Sequence, residues 1–298
     1  MKNSYSINTT KVDEFIEFFP NLYQEFMDYG GNVFNDTNIK DRVIKCFYAC
    51  AICNNMNWDF LCKNVIPTIY LETDGFEFKK ICEISTGKFE EYFMDYPKKH
   101  KIEADNRLAM LRKLSNYVGH TEGKVFDKIL KVHMLEGEHG LLNIINTLPV
   151  FCDDPLHKKG NLLVQILLRE GIIHVEDESN TEPAVDYHVI RFFLRTGFIQ
   201  FNNEEIFDCL SSNANFELDE INDLRQTISE CMKYIYRKSG IAIAKLSFIA
   251  WSIGRDYCRN EHAICDDKGN CPVCKICKGY VDLKYRKLKE PMCNVGYY

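Results

Sequence analysis

The chain has 298 residues, which is enough for one large domain or two ordinary ones and leaves ample length to bury a core. Hydrophobic residues make up 46% and charged residues 27%, a composition that excludes a disordered or fibrous protein. The formal net charge is -6, so any binding to nucleic acid requires a local basic patch rather than bulk positive charge. The N-terminal residues lack the apolar stretch of a secretion signal, and no run of 18 apolar residues follows. We therefore expect an intracellular, cytoplasmic protein with no membrane partner.

Helical spacing dominates the sequence in chain order. Apolar residues recur every three to four positions in four segments, namely 41–66, 124–135, 140–148 and 160–171. Prolines fall between these segments, as they do at helix boundaries. The alternation typical of strands is scarce, and residues 172–177 are its best candidate.

These patterns predict an all-α fold with two helical lobes, followed by a C-terminal cysteine-rich loop. We expect a helical extension over residues 1–40 and a main domain over residues 41–280, with the cysteine loop at 258–277. A basic tail over residues 281–298 completes the predicted organisation.

Cysteine is unusually frequent, with 14 in the chain. Eight are scattered through apolar, helix-like sequence, where thiols are typically small buried hydrophobic groups. These are Cys46, Cys50, Cys53, Cys62, Cys82, Cys152, Cys209 and Cys231. Five more crowd into residues 258–277, and Cys293 follows. A long chain without a secretion signal does not favour a disulfide framework, so the crowded cysteines indicate a metal site.

Two metals are compatible with the crowded cysteines. Zinc is usually held by two separated CxxC pairs, whereas here the CxxC pairs overlap at Cys271, Cys274 and Cys277. A [4Fe–4S] cluster tolerates wider loops, and Cys258, Cys265, Cys271 and Cys277 would supply its four thiolates. We therefore favour an iron–sulfur cluster, with zinc as the alternative and Cys274 as an alternative ligand.

Two helix starts carry charged residues. Asp186 precedes an apolar helical run and suits an N-cap, which on its own requires no further role. Lys158 and Lys159 open another helix, where a positive charge opposes the helix dipole. Taken alone, these lysines are most simply interpreted as exposed surface residues.

The order of these features resembles the helix-hairpin-helix DNA glycosylase superfamily, in particular its endonuclease III-like branch. The resemblance rests on Val185-Asp186-Tyr187-His188-Val189-Ile190-Arg191, which matches a motif of the type VDTHxxR, and on the cysteine loop that follows. That branch holds a [4Fe–4S] cluster with the spacing C-x6-C-x2-C-x5-C. Here the six-residue and five-residue gaps are kept, and the middle gap is longer by three residues. The likeness extends over about residues 40–280.

The resemblance implies a DNA N-glycosylase that flips out and excises a modified or damaged base from double-stranded DNA. It implies that Asp186 is the catalytic carboxylate and that Lys159 is the lysine of an abasic-site lyase step, with Lys158 as a one-residue-shift alternative. Water attack without the lysine would release the base only. We expect a monomer whose other DNA or substrate contacts are Asn54, Asn55, Trp58, His188, Lys284 and Arg286.

One departure from that branch affects the expected substrate. The family hairpin has the type LPGVGxKTA, and its backbone amides bind a DNA phosphate, whereas this chain has LPVFCDDPLHKKGN with Asp153 and Asp154. The lost glycines favour an alternative, a nucleoside N-glycosidase resembling the queuosine-salvage enzymes. A second alternative is a non-enzymatic, metal-stabilised protein that binds nucleic acid, in which Asp186 only caps a helix.

Overall fold

The computed structural model describes residues 4–23, 26, 31–212, 214–267 and 270–291. It is mostly helical, with 61% helix and 3% strand, which confirms the predicted helical class. No helix within these described ranges is both long enough and apolar enough to cross a membrane. Cys293 and the rest of the predicted basic tail beyond residue 291 lie outside the described residues.

The helices follow one another along the whole described chain. In order they are α1 (Thr9–Tyr23), α2 (Ile39–Ile52), α3 (Trp58–Phe60), α4 (Ile66–Glu72), α5 (Phe78–Glu83), α6 (Thr86–Glu91), α7 (Ala104–His120), α8 (Lys124–Leu130), α9 (Leu141–Asn146), α10 (Lys158–Arg169), α11 (Tyr187–Thr196), α12 (Glu204–Ser211), α13 (Leu218–Ser239), α14 (Ile243–Asp256), α15 (Lys278–Val281) and α16 (Leu283–Arg286). A π-helical turn, Leu61–Val65, joins α3 to α4, and short 3-10 turns lie at Lys99–Lys101, Glu178–Asn180 and Ile264–Asp267.

The chain divides into two compact units. Unit 1 comprises the described residues of Met1–Tyr29 and Glu182–Val295, and unit 2 comprises those of Gly30–Thr181. Unit 1 is therefore discontinuous in sequence. Of the predicted extension over residues 1–40, the described residues up to 29 belong to unit 1, and residues 31–40 belong to unit 2.

Unit 1 is organised around the pair α11 and α14, with α13 packed against both. Two short strands, β1 (Tyr5–Ile7) and β2 (Ile199–Phe201), pair antiparallel with Tyr5 opposite Phe201. The strand expected at residues 172–177 is wrong, because that segment has turn and irregular conformations. The strands that do pair, β1 and β2, are almost 200 positions apart, and the sequence around one strand does not indicate the other.

Unit 2 is built on α2, which packs against α10, α7 and α4. Every residue of α2 from Lys45 to its end is buried, as the apolar spacing of this segment predicts. The predicted helix over residues 41–66 is interrupted after Ile52 and resumes at Trp58.

The expectation that the scattered cysteines are buried is correct for five of them, namely Cys46, Cys50, Cys53, Cys62 and Cys231. It is wrong for Cys82 and Cys152, which are exposed, and Cys209 is intermediate. These three lie near helix ends or in a turn, where the surrounding apolar residues do not decide which way the side chain faces.

Candidate functional site

Asp186 lies at the start of α11, as the sequence predicts. It has extended backbone angles, and its Oδ1 accepts a hydrogen bond of 2.9 Å from the backbone N–H of Val189, which makes it a true N-cap. The helix ends at Gly197, which adopts a left-handed φ of 81° as a C-cap. Asp186 is 8% exposed. Within the described part of the chain, its second oxygen, Oδ2, accepts no hydrogen bond.

His188 is a partner of Arg191 rather than a free acid. Arg191 Nη2 lies 2.9 Å from His188 Nδ1, and because a guanidinium can only donate, Nδ1 must be the unprotonated nitrogen. Burial lowers the pKa of His188, against the opposing charge of Asp186. The neutral ring of His188 is therefore hydrogen-bonded to Arg191, two residues along the chain from Asp186.

Two buried arginines on α11 bind the cysteine segment, and sequence reasoning assigned neither of them a role. Arg191 donates from Nε to the carbonyl oxygen of Cys258 at 2.5 Å and from Nη2 to that of Gly254 at 2.8 Å. It also forms an ion pair of 2.6 Å with Glu290. A desolvated guanidinium needs such acceptors, because an unpaired buried charge is strongly destabilising.

Arg195 lies one helical turn further along and contacts the same segment. Its Nε donates to the carbonyl oxygen of Leu288 at 2.7 Å, and its Nη1 donates to that of Arg259 at 2.8 Å. Its Nη1 also lies 3.6 Å from Cys258 Sγ. Arginines four residues apart share one helix face, so their occurrence in the otherwise apolar run of α11 was the available indication of this role.

The predicted ligands Cys258, Cys265, Cys271 and Cys277 line one small pocket that is partly open to solvent. Cys274, the alternative ligand, is not among its lining residues. The apolar side of the cavity comes from Phe192, Ile253 and Val273, among others.

Burial governs the ionisation of two of these thiols. Burial is the main cause that raises the pKa of Cys271 and of Cys277 to about 12, and neighbouring thiols add to both shifts. A bound metal reverses this preference, because it deprotonates a coordinating thiol. Across the described residues, no three His, Cys, Asp or Glu side chains converge closely enough to hold a single metal ion.

Arg286 braces the cysteine loop. It donates to the carbonyl oxygens of Gly279 at 2.8 Å and Tyr280 at 2.7 Å, and its Nη1 lies 3.4 Å from Asp266 Oδ1. The guanidinium is thus engaged within the loop, which leaves the exposed Lys284 as the better placed of the two predicted phosphate contacts.

Lys158 and Lys159 open α10 as predicted, but their interpretation as surface residues is wrong. They are 5% and 1% exposed. Asp154 caps their helix, since its Oδ2 accepts from the backbone N–H of Lys158 at 2.9 Å. Asp153 instead forms an ion pair with Lys113 at 3.4 Å.

Lys159 has the most perturbed environment of the predicted catalytic groups. Its pKa is lowered to about 8, mainly by burial and also by the charges of Lys158 and Arg107, while Cys53 opposes the shift. Its Nζ lies 3.7 Å from Met110 Sδ. A pKa near 8 leaves an appreciable neutral fraction of the amine at neutral pH, which is the form that attacks a carbonyl or a sugar carbon.

The hairpin that precedes α10 reaches its shape without glycine. Val150 has a left-handed φ of 73° and His157 one of 51°. Such angles are rare for a β-branched residue, and they are found where the surrounding structure enforces them. The turn before α10 is therefore folded with non-glycine residues at its left-handed positions.

The residues predicted to probe DNA lie between α2 and α3 and differ in their exposure. Asn54 is buried, and its Oδ1 accepts from Arg107 at 3.1 Å. Asn55 is half-buried with a left-handed φ of 48°, and Trp58 packs partly against the core of unit 2. The side chain of Asn54 therefore faces inward, and Asn55 is the more accessible of the two asparagines.

The candidate residues fall into two groups. Asp186, His188 and the crowded cysteines belong to unit 1, and the lysines of α10 and the residues between α2 and α3 belong to unit 2. No known protein family matches the chain, and no similar protein was found among curated proteins.

Proposed function

We propose that the protein is a DNA N-glycosylase, similar to the helix-hairpin-helix superfamily, that excises a modified base from double-stranded DNA as a monomer. The observation that carries the proposal is the construction of α11. The helix begins with the capping carboxylate of Asp186, and its two buried arginines bind the backbone of the segment that begins at Cys258. One helix thus carries the capping carboxylate at its start and contributes to the lining of the four-cysteine cavity.

Asp186 would supply the chemistry of base release. Breaking the bond between base and deoxyribose develops positive charge on the sugar, and a fixed carboxylate stabilises that charge or activates a water molecule. The N-cap contact fixes the carboxylate through Oδ1 while Oδ2 remains free of protein partners in the described chain. A preorganised group of this kind needs no rearrangement as the charge forms.

Cys258, Cys265, Cys271 and Cys277 would hold a [4Fe–4S] cluster, because they line one cavity and Cys274 does not. Such a cluster, when bound, links four points of the loop 258–277 through iron–thiolate bonds. The arginines of α11 transmit that order to the helix that carries Asp186.

Lys159 supports an additional lyase step only through its lowered pKa. Its 1% exposure means that the substrate must gain access to an interior amine. The proposed activity is therefore base release by Asp186. Strand cleavage through Lys159 is an additional activity that trapping experiments test.

A nucleoside N-glycosidase is the second candidate, and one observation favours it. The hairpin before α10 offers no glycine amides to a DNA phosphate and exposes the carboxylate of Asp153. An exposed negative charge there disfavours contact with a phosphate backbone.

The deciding experiment incubates the protein with duplexes that carry different modified bases and, in parallel, with free nucleosides. Asp186→Asn should lower base release by roughly a hundredfold or more, as for other electrostatic groups at a transition state. Asparagine caps helices as well as aspartate does, so the fold should persist. Asp208→Asn, an exposed change on α12 of the same unit, is the matched control and should leave turnover unchanged. Undiminished turnover in Asp186→Asn would return this residue to a capping role, and release from nucleosides alone would favour the second candidate.

A further inference from the structure

The four most exposed large apolar side chains of the described residues fall into two pairs. Leu71 and Met94, both in unit 2, are 75% and 71% exposed. Val281 and Leu283, both in unit 1, are 82% and 56% exposed. Exposed apolar side chains that occur together, rather than singly, mark surfaces to which another molecule binds. Each pair is therefore a candidate contact surface.

The first pair is presented by a fixed part of unit 2. Tyr92 Oη donates a hydrogen bond of 2.6 Å to Glu72 Oε2, which joins the end of α4, next to Leu71, to the turn that carries Met94. Phe93 lies in the same turn and is completely buried. The exposure of Leu71 and Met94 is thus a property of the folded unit, because the segments on which they lie are anchored to each other and to the core.

The surroundings of this first pair are acidic. The segment 71–96 contains seven acidic and three basic residues, which gives it a formal charge of -4. Glu90 and Asp95 are exposed, and neither forms an ion pair with any described residue. We call the following four residues the acidic surface: Leu71, Glu90, Met94 and Asp95.

The second pair lies in a segment of the opposite charge. The segment 278–289 contains five basic residues and one acidic residue, which gives it a formal charge of +4. Lys284 and Lys287 are exposed, and in the described part of the chain no carboxylate pairs with either ammonium group. The completely buried Leu288 anchors this segment to unit 1. We call the following four residues the basic surface: Val281, Leu283, Lys284 and Lys287.

We propose that the acidic surface of one molecule binds the basic surface of a second copy of this chain. Each surface offers two exposed apolar side chains and two unpaired charges, and the charges of the two segments are equal in size and opposite in sign. Such complementarity favours encounter and determines how the partners are oriented. Because the two surfaces differ, the contact is head-to-tail, and each assembly keeps one free surface at either end.

This inference does not rest on the proposed function. The carboxylates of a second copy and the phosphates of DNA would compete for the same ammonium group of Lys284. A molecule that is bound to DNA through Lys284 has its basic surface occupied. Base excision by a single molecule and association of the free protein are therefore compatible.

The test is sedimentation of the full-length protein at loading concentrations from about 1 μM to about 1 mM, the range in which a weak contact dissociates. The average mass should rise with concentration above that of one chain, and the rise should be smaller in about 1 M salt, where charges are screened within about 3 Å. The paired changes Leu71→Ser with Met94→Ser should lower the association constant by on the order of a hundredfold, since two apolar side chains are no longer buried. Met134→Ser is the matched control, because Met134 is an exposed methionine of unit 2 outside both surfaces.

A mixing experiment tests whether the contact is head-to-tail. The paired changes Val281→Ser with Leu283→Ser should also abolish association, because they spoil the basic surface and leave the acidic one intact. An equimolar mixture of the two double variants should regain association, but only as far as a dimer, since each variant keeps one working surface. Should a serine variant fail to fold, Glu90→Lys and Lys287→Glu repeat the design with charges, one on each surface.

Three results would each overturn the proposal. The first is a wild-type protein that keeps the mass of one chain at every concentration, and the second is association that persists undiminished in either folded double variant or in high salt. The third is a mixture of the two variants that stays monomeric. Association that is lost in both variants and regained as a dimer on mixing supports the proposal.

Discussion

Replacing Lys159 with methionine should stabilise unit 2. The side chain is 1% exposed, and burial lowers its pKa from 10.5 to about 8, which corresponds to a free-energy cost of about 3 kcal/mol for the folded state at pH 7. Methionine has a similar length and no charge to desolvate, so Lys159→Met removes that cost. The expected rise in the melting temperature of the unit is roughly 6–12 °C.

The pH dependence of this gain identifies its cause. The pKa of Lys159 in the folded protein lies below its unfolded value, so the unfolded chain binds more protons between these two values. The cost is complete below about pH 8 and fades as the pH rises toward 10.5. The advantage of Lys159→Met should therefore fall from about 3 kcal/mol at pH 7 to about 1.4 kcal/mol at pH 9.5.

The two tryptophans allow unit 2 to be followed by itself. Trp58 lies in unit 2 and Trp251 in unit 1, so denaturant unfolding in a Trp251→Phe background reports on unit 2 through Trp58 fluorescence. Lys131→Met, an exposed change in the same unit, controls for the removal of a positive charge and should alter stability by less than about 0.5 kcal/mol. A Lys159→Met protein no more stable than the wild type at pH 7, or one whose advantage does not shrink at alkaline pH, would refute the reasoning.

Three further outcomes are expected. Cys274→Ser should retain iron after anaerobic purification whereas Cys258→Ser should lose it, because Cys258 lines the cavity and Cys274 does not. Metal analysis that finds zinc and no iron would reject the cluster. If Lys159 forms a Schiff base, borohydride should trap a protein–DNA adduct. Lys159→Gln should abolish this adduct and Lys158→Gln should preserve it. Base release without any adduct would mean that the protein has no lyase activity. Gly254→Ala should destabilise unit 1 by about 1–3 kcal/mol, since the added Cβ would lie 2.3 Å from a backbone oxygen of α11, and calorimetry showing an unchanged transition would contradict this close packing.

Local chemistry explains what the sequence could predict. The cap at Asp186 and the start of α10 at the two lysines follow from residues within a few positions of each other, and both are found where the pattern placed them. The mostly helical class follows from apolar spacing in the same way.

The remainder depends on partners that are distant in sequence. Arg191 contacts Cys258 across 67 positions, and Arg107 contacts Asn54 across 53. Neither contact can be recognised from the neighbouring residues in the chain. For a related reason, the sequence does not predict that Lys159 is buried. Lysine is normally exposed, and only the tertiary packing of α10 on α2 encloses it.

The discontinuity of unit 1 bears on how the molecule is made. Unit 2 is continuous over Gly30–Thr181, so its segments emerge together from the ribosome, and a domain of that size can fold as one unit during synthesis. Strand β1 leaves first, yet its partner β2 is synthesised almost 200 residues later, and the cysteine segment later still. The helix α11, with Asp186 and its two buried arginines, would consequently be assembled last, together with the cysteine cavity. Any cluster would then be inserted into a chain whose other half is already folded.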